Sequence, residues 1–155
     1  MATNPREPGP VAGIDYGTVR IGIALSDPSR TWVSPHETYT RRDAQRDAEF
    51  FRRLAKEHQI VLFVVGLPVH LDGGESEKSV EARRFAAWLA EVSGVAVELF
   101  DERFTSVEAD ALLGERKLTR RKQKQRRDAV AAQVMLDAYL QSHASRGDQP
   151  AGLDE

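Results

Sequence analysis

Large apolar and small residues alternate in a two-residue rhythm early in the chain, from Arg20 to Ser26. Val11 to Asp15 predicts a strand, and Arg20 to Ser26 places Ile21, Ile23 and Leu25 on one face with Gly22 and Ala24 on the other. Gly17-Thr18-Val19 is short enough to join the two as a hairpin. Trp32 to Tyr39, after the Asp27-Pro28-Ser29 turn, predicts a third and weaker strand. The rhythm then lengthens. Thr40-Arg41-Arg42-Asp43 has the character of a helix start, and Ala44, Ala48, Phe51 and Ala55 follow at helical spacing.

Ile60 to Val65 is uniformly apolar and rich in β-branched residues, the pattern of a strand covered on both faces. A polar, glycine-rich stretch from Pro68 to Ser76 leads into a helix with Phe85, Trp88, Leu89 and Val92 as its apolar stripe, ended by Gly94. Val95 to Phe100 predicts another buried strand. Thr105-Ser106-Val107-Glu108 has capping-box form and predicts a short helix to Gly114. Ala129 to Leu140 predicts a last helix, with Ala131, Ala132, Met135 and Tyr139 along one side.

Three strands followed by alternating helices and strands imply an α/β fold with right-handed crossovers. The expectation is a five-stranded mixed sheet, three strands antiparallel and then two parallel, with helices on both faces. Ligands of such open sheets bind beyond the carboxyl ends of the parallel strands. No internal repeat or linker divides the chain. The expected organisation is a disordered tail at 1–10, one domain at 11–142 and a disordered polar tail at 143–155.

Composition narrows the chemistry. The 155 residues include no cysteine, which excludes disulfides, thiolate nucleophiles, zinc ribbons and iron–sulfur clusters. The four histidines (His36, His58, His70, His143) lack ligand-like spacing, so a resident metal would be hard and oxygen-bound, Mg²⁺ or Mn²⁺. No segment approaches the ~20 apolar residues of a membrane helix, and Met1 to Pro10 has no apolar stretch for a secretion signal, so a cytoplasmic protein is expected. The net charge of −2 conceals a division: residues 115–127 carry +7 and the remainder −9. One basic strip on an acidic body can grip a phosphate backbone locally, although such a run is also a common solvated surface.

Three acidic positions stand where apolar segments end or a helix begins. Asp15 lies in Gly13-Ile14-Asp15-Tyr16-Gly17-Thr18, Asp101-Glu102 follows a strand, and Asp128 stands before Ala129-Val130-Ala131-Ala132. Each has an ordinary structural explanation. Asp15 could accept turn amides, the second pair could be surface charge, and Asp128 could compensate a helix end. Alternation alone leaves open whether Asp101 or Glu102 faces inward. Gathering three carboxylates costs free energy unless a cation is gathered with them, so a single metal site replaces three coincidences.

These blocks, in this order, resemble the YqgF-type family of bacterial proteins, named as Holliday-junction resolvases and as pre-16S ribosomal RNA nucleases. The matching residues are Gly13-Ile14-Asp15-Tyr16-Gly17-Thr18 with Arg20-Ile21-Gly22 and Ala24, and Val65-Gly66-Leu67-Pro68 with Asp72-Gly73. They continue with Asp101-Glu102-Arg103-Phe104-Thr105, then Asp128 with Ala131-Ala132, Leu136 and Tyr139-Leu140. Ser106 replaces a common threonine and Val19 a frequent lysine, neither at an acidic position. The resemblance implies an RNase H-like fold, with Asp15, Glu102 and Asp128 as catalytic, metal-holding acids. It also implies a substrate that is precursor 16S rRNA, in ribosome biogenesis, or branched DNA, with the ribosome as a further partner of a monomer or homodimer.

The expected chemistry is two-metal phosphodiester hydrolysis with Mg²⁺ or Mn²⁺. Thr18, Arg20, Arg103, Lys122, Lys124, Arg126 and Arg127 are the expected nucleic-acid contacts. Two other classes compete. Asp15-Tyr16-Gly17-Thr18 also resembles the phosphate loop of actin-like and sugar-kinase ATPases, which need a second domain that this length does not provide. A degenerate site would leave a non-catalytic RNA- or ribosome-binding protein.

Overall fold

The computed structural model describes residues 8–67, 77–101 and 120–153, and within the last stretch the side chains of 127–143. Five strands, β1 (Val11–Asp15), β2 (Arg20–Ser26), β3 (Val33–Thr40), β4 (Leu62–Leu67) and β5 (Ala96–Asp101), form one sheet in the order β3-β2-β1-β4-β5. β1, β2 and β3 pair antiparallel, while β4 and β5 continue parallel to β1. Three helices are described: α1 (Ala44–His58), α2 (Glu77–Ser93) and α3 (Arg120–Leu153). This is the mixed α/β architecture that the residue pattern predicts.

The alternation read from the sequence sorts the sheet's two faces. Ala12, Ile14, Ile21, Ile23, Phe63 and Val65 point to one side and pack with Phe51 and Leu54 of α1 and Phe85 and Leu89 of α2. Val11, Ala24, Leu62 and Val64 point to the other and meet Ala132, Met135, Leu136 and Tyr139 of α3. Interior β4 is apolar at every position because both faces are covered. β3 is an edge strand, so it tolerates Pro35 and the register shift opposite Ile23/Ala24.

Several boundaries move. β4 begins at Leu62 rather than Ile60, because the Ile60 amide bonds the Ala55 carbonyl at the end of α1 and the Val61 amide bonds the Pro10 carbonyl. α3 begins at Arg120, nine residues before the expected Ala129, so the end of the basic strip is helical. It also runs on to Leu153, across residues expected to be tail. The expected helix from Thr105 to Gly114 and the loop from Pro68 to Ser76 lie outside the described residues.

α1 is fixed at its start by two aspartates. Asp43 caps it, accepting the Arg46 amide at 2.8 Å. Asp47, 1% exposed, accepts the Tyr39 hydroxyl at 2.6 Å, the Arg42 amide at 2.9 Å and Arg41 Nε at 3.3 Å. Burial, followed by that bond to Asp47, pushes the Tyr39 phenol up to about 12.

The Arg46 amide holds the Asp43 carboxyl below its usual value. A depressed folded value means that the cap's contribution is present above the unfolded value of 3.8 and is lost as pH falls through the folded one. Asp43→Ala should therefore lower the melting temperature at pH 7 by a few degrees, and the difference from wild type should narrow below pH 3.8; thermal denaturation across pH reads both.

Candidate active site

The parallel strands β1, β4 and β5 end at one edge of the sheet, and antiparallel β2 begins there. Asp15 is the last residue of central β1 and sits directly opposite Gly22 of β2. Between them the chain reverses through Tyr16, Gly17, Thr18 and Val19. A Cβ at Gly17 would lie 2.2 Å from the Arg20 carbonyl oxygen, so this tight return requires glycine.

Asp128 reaches the same edge from the far end of the sequence. α3 crosses the sheet over two glycines. A Cβ at Gly13 would meet Leu136 Cβ at 2.8 Å, and one at Gly22 would fall 1.9 Å from the Asp128 carbonyl oxygen. The helix backbone thus lies on the strand that pairs with Asp15. The Asp128 carboxylate accepts Arg20 Nε through Oδ2 at 3.0 Å, with both side chains partly exposed. Because α3 starts at Arg120, Asp128 is more than two turns inside the helix, and charge compensation at a helix end does not explain it.

Asp15 and Asp128 line one open cleft of about 370 Å³ with Tyr16, Gly17, Thr18, Val19 and Arg20. Lys78 and Glu81, from the first turns of α2, complete its wall. Sequence reasoning missed both. Their three-residue spacing puts them on one helix face, but a charged pair there reads the same whether it faces water or a cleft.

The other expected residues divide. Thr18 is exposed on the cleft rim, and Arg20 enters as the partner of Asp128. Arg127 is exposed beside Asp128. Lys122, Lys124 and Arg126 belong to the α3 backbone, with side chains outside the described set. Glu102 and Arg103 also lie outside the described residues; Asp101, which precedes them, ends β5 at the edge where Asp15 ends β1.

Of the three carboxylates that line the cleft, Asp15 and Asp128 at the sheet edge, with the Thr18 hydroxyl at the rim, offer hard oxygen donors of the kind Mg²⁺ and Mn²⁺ select, and no histidine lines the cleft among the described residues. No group of three acidic or histidine side chains disposed to hold a metal occurs among the described residues. Asp15 and Asp128 fit such an ion as a partial set that one more acid would complete.

Comparison with known proteins agrees with this architecture. Residues 9–142 match the family described as RuvX: Holliday junction resolvase, and the chain belongs to that family. It is 52% identical over 140 residues to a Rhodopirellula baltica protein named "Putative pre-16S rRNA nuclease", covering 90% of this chain and 81% of the relative. A Koribacter versatilis protein of the same name is 36% identical over 142 residues, covering 92% and 93%.

Among solved structures, Thermus thermophilus RuvC superposes with a TM-score of 0.52 at 15% identity, covering 88% of this chain and 96% of that one. Fowlpox virus resolvase, solved with substrate Holliday junction DNA, superposes at 0.54 with 10% identity, covering 86% and 97%. At these identities the likeness is one of fold, and it is the RNase H-like fold of resolvases. No helix among the described residues is long and apolar enough to cross a membrane.

Gly22→Ala should drive the β2 backbone and α3 apart, because the atom in the way is a main-chain carbonyl and cannot rotate aside. The expected cost is about 3 kcal/mol, the upper range for overpacking. Denaturant unfolding checks it; a wild-type midpoint would show that α3 does not rest on Gly22.

Proposed function

We propose that this chain is a metal-dependent endonuclease that hydrolyses phosphodiester bonds in the 5′-end processing of precursor 16S rRNA, with residues 11–142 as its nuclease domain. The observation that carries the reading is the convergence of Asp15 and Asp128, 113 positions apart in the sequence, on one cleft at the carboxyl edge of a resolvase-type sheet. Names borne by relatives at up to 52% identity support the RNA substrate. The family's description as Holliday junction resolvase favours one second reading, cleavage of branched DNA in recombination and repair.

Asp15 and Asp128, with Glu102 as the third acid, would hold Mg²⁺ or Mn²⁺. Such an ion, when bound, would supply Lewis-acid charge stabilisation at the phosphate. The protein's own side chains do the rest. Arg20 orients the Asp128 carboxylate through Nε, as partners outside a ligand shell do. Lys78 is exposed at the cleft wall and offers a cation to a substrate phosphate. Thr18 and Arg103 would contact the strand near the scissile bond. Lys122, Lys124, Arg126 and Arg127 would hold the backbone farther along α3, giving strong salt dependence without base readout. Such an enzyme works in the cytoplasm, on the assembling ribosomal subunit, as a monomer or a homodimer.

The test is cleavage of a precursor 16S rRNA 5′ leader and of a four-way DNA junction, each in Mg²⁺ and Mn²⁺. Asp15→Asn and Asp128→Asn should each slow cleavage by at least ~100-fold, since even residues outside a metal's ligand shell cost 10–100-fold. Unchanged rates in either variant would remove that residue from the centre, and cutting of the junction alone would turn the assignment to the resolvase.

A further inference from the structure

A second hollow, of about 320 Å³, adjoins the first and shares Tyr16 and Glu81 with it. Its other principal walls are Arg41, Arg84, Phe85 and Trp88. The chemistry at Asp15 and Asp128 makes no use of it. α2 presents Glu81, Arg84, Phe85 and Trp88 together because these positions, separated by three and four residues, share one helix face. Phe85 is buried, and the rings of Tyr16 and Trp88 lie 4.9 and 5.5 Å from its own. Tyr16 and Trp88 remain half-buried on the hollow.

Arg41 is held in place by several contacts. Its guanidinium lies 5.5 Å from the Tyr16 ring centre and 5.8 Å from that of Phe85. Nη1 donates to the Tyr16 hydroxyl at 3.2 Å and Nε to buried Asp47 at 3.3 Å. A flat cation is thereby fixed beside aromatic surface before any ligand arrives. Arg84 adds an exposed cation at the mouth, and Glu81 an acceptor at the boundary between the two hollows.

These features select a ligand that is planar and anionic at once. A bare phosphate would gain nothing from Trp88, and a purely apolar ligand nothing from two arginines. A nucleotide uses both, because its base stacks on aromatic rings and arginine planes while its phosphate meets a cation. The volume is at the small end of ligand pockets, appropriate to one such unit. Glu81 repels phosphate, so the phosphate turns toward Arg84 and the carboxylate accepts from a sugar hydroxyl or a base amino group.

We propose that this hollow is a subsite for one unpaired nucleotide of the substrate strand, next to the phosphate cleaved at Asp15 and Asp128. A base within a duplex cannot enter, so the subsite favours single-stranded flanks. The proposal rests on the nuclease reading for its position, but the binding itself can be measured separately.

Trp32 and Trp88 are the two tryptophans, so Trp32→Phe leaves Trp88 as the only reporter. In an Asp15→Asn, Trp32→Phe protein, a short single-stranded uridine oligonucleotide should quench Trp88 fluorescence saturably, and a blunt duplex should not. Arg84→Glu, at an exposed position, should raise the dissociation constant about tenfold. Labelled-RNA anisotropy supplies the independent measure of binding. RNA that binds by anisotropy while Trp88 emission stays unmoved, RNA that fails to bind, or an unaltered affinity in Arg84→Glu would each overturn the subsite. Wild-type cleavage without quenching sinks the subsite alone; quenching in a protein that cuts no nucleic acid keeps the subsite and sinks the nuclease reading.

Discussion

The contact on which the site depends is the seat of α3 on the sheet at Gly13 and Gly22. A helix normally rests on a sheet through side chains, which hold the two backbones apart. Here the Asp128 carbonyl comes so near Gly22 that even one methyl group could not fit between them. Gly22 is paired with Asp15, so the same approach that seats the helix brings two carboxylates to one edge. Ala132, Met135, Leu136 and Tyr139 then lock the helix by burying an apolar stripe on Val11, Ala24, Leu62 and Val64. The hydrophobic contact sets the rotation of the helix, and the glycines set its depth.

Electrostatics around the cleft follow from that placement. Carboxylates gathered at a partly dry edge repel one another, and the fold answers with cations at graded distance. Arg20 bonds Asp128 directly, and Lys78 stands at the wall. The basic part of α3 continues outward from Asp128 on the same helix. Arg127, the last cation of the basic strip, is exposed beside Asp128.

A second network supports the cleft from behind. Buried Asp47 ties the start of α1 to β3 through Tyr39 and to the Tyr16 hairpin through Arg41. Every buried polar side-chain atom among the described residues has a partner, so these groups add rigidity without a desolvation penalty left unmet. Tyr16 follows Asp15 directly, and its hydroxyl and ring are both engaged by Arg41. The turn that carries Asp15 is thereby anchored to the α1 side of the molecule.

Most of the architecture was legible in the residue pattern, because side-chain alternation and helical spacing are local and report directly which face is covered. Ile21 and Ile23 against Gly22 and Ala24, the all-apolar β4, and the stripe through Phe85 and Leu89 each specify burial without knowledge of their partners. Asp15 stood out because it interrupts an apolar strand before a glycine turn. The sequence misplaced Asp128 at a helix start, since a run of lysines and arginines carries no apolar period to mark the helical turns before it. Lys78, Glu81 and Asp47 gave no signal of their own, for a charged residue in a helix looks alike whether it faces water, a cleft or a buried tyrosine. Pattern along the chain determines which residues are buried; only packing across the chain, at a glycine too small to keep two backbones apart, decides which charged residues meet.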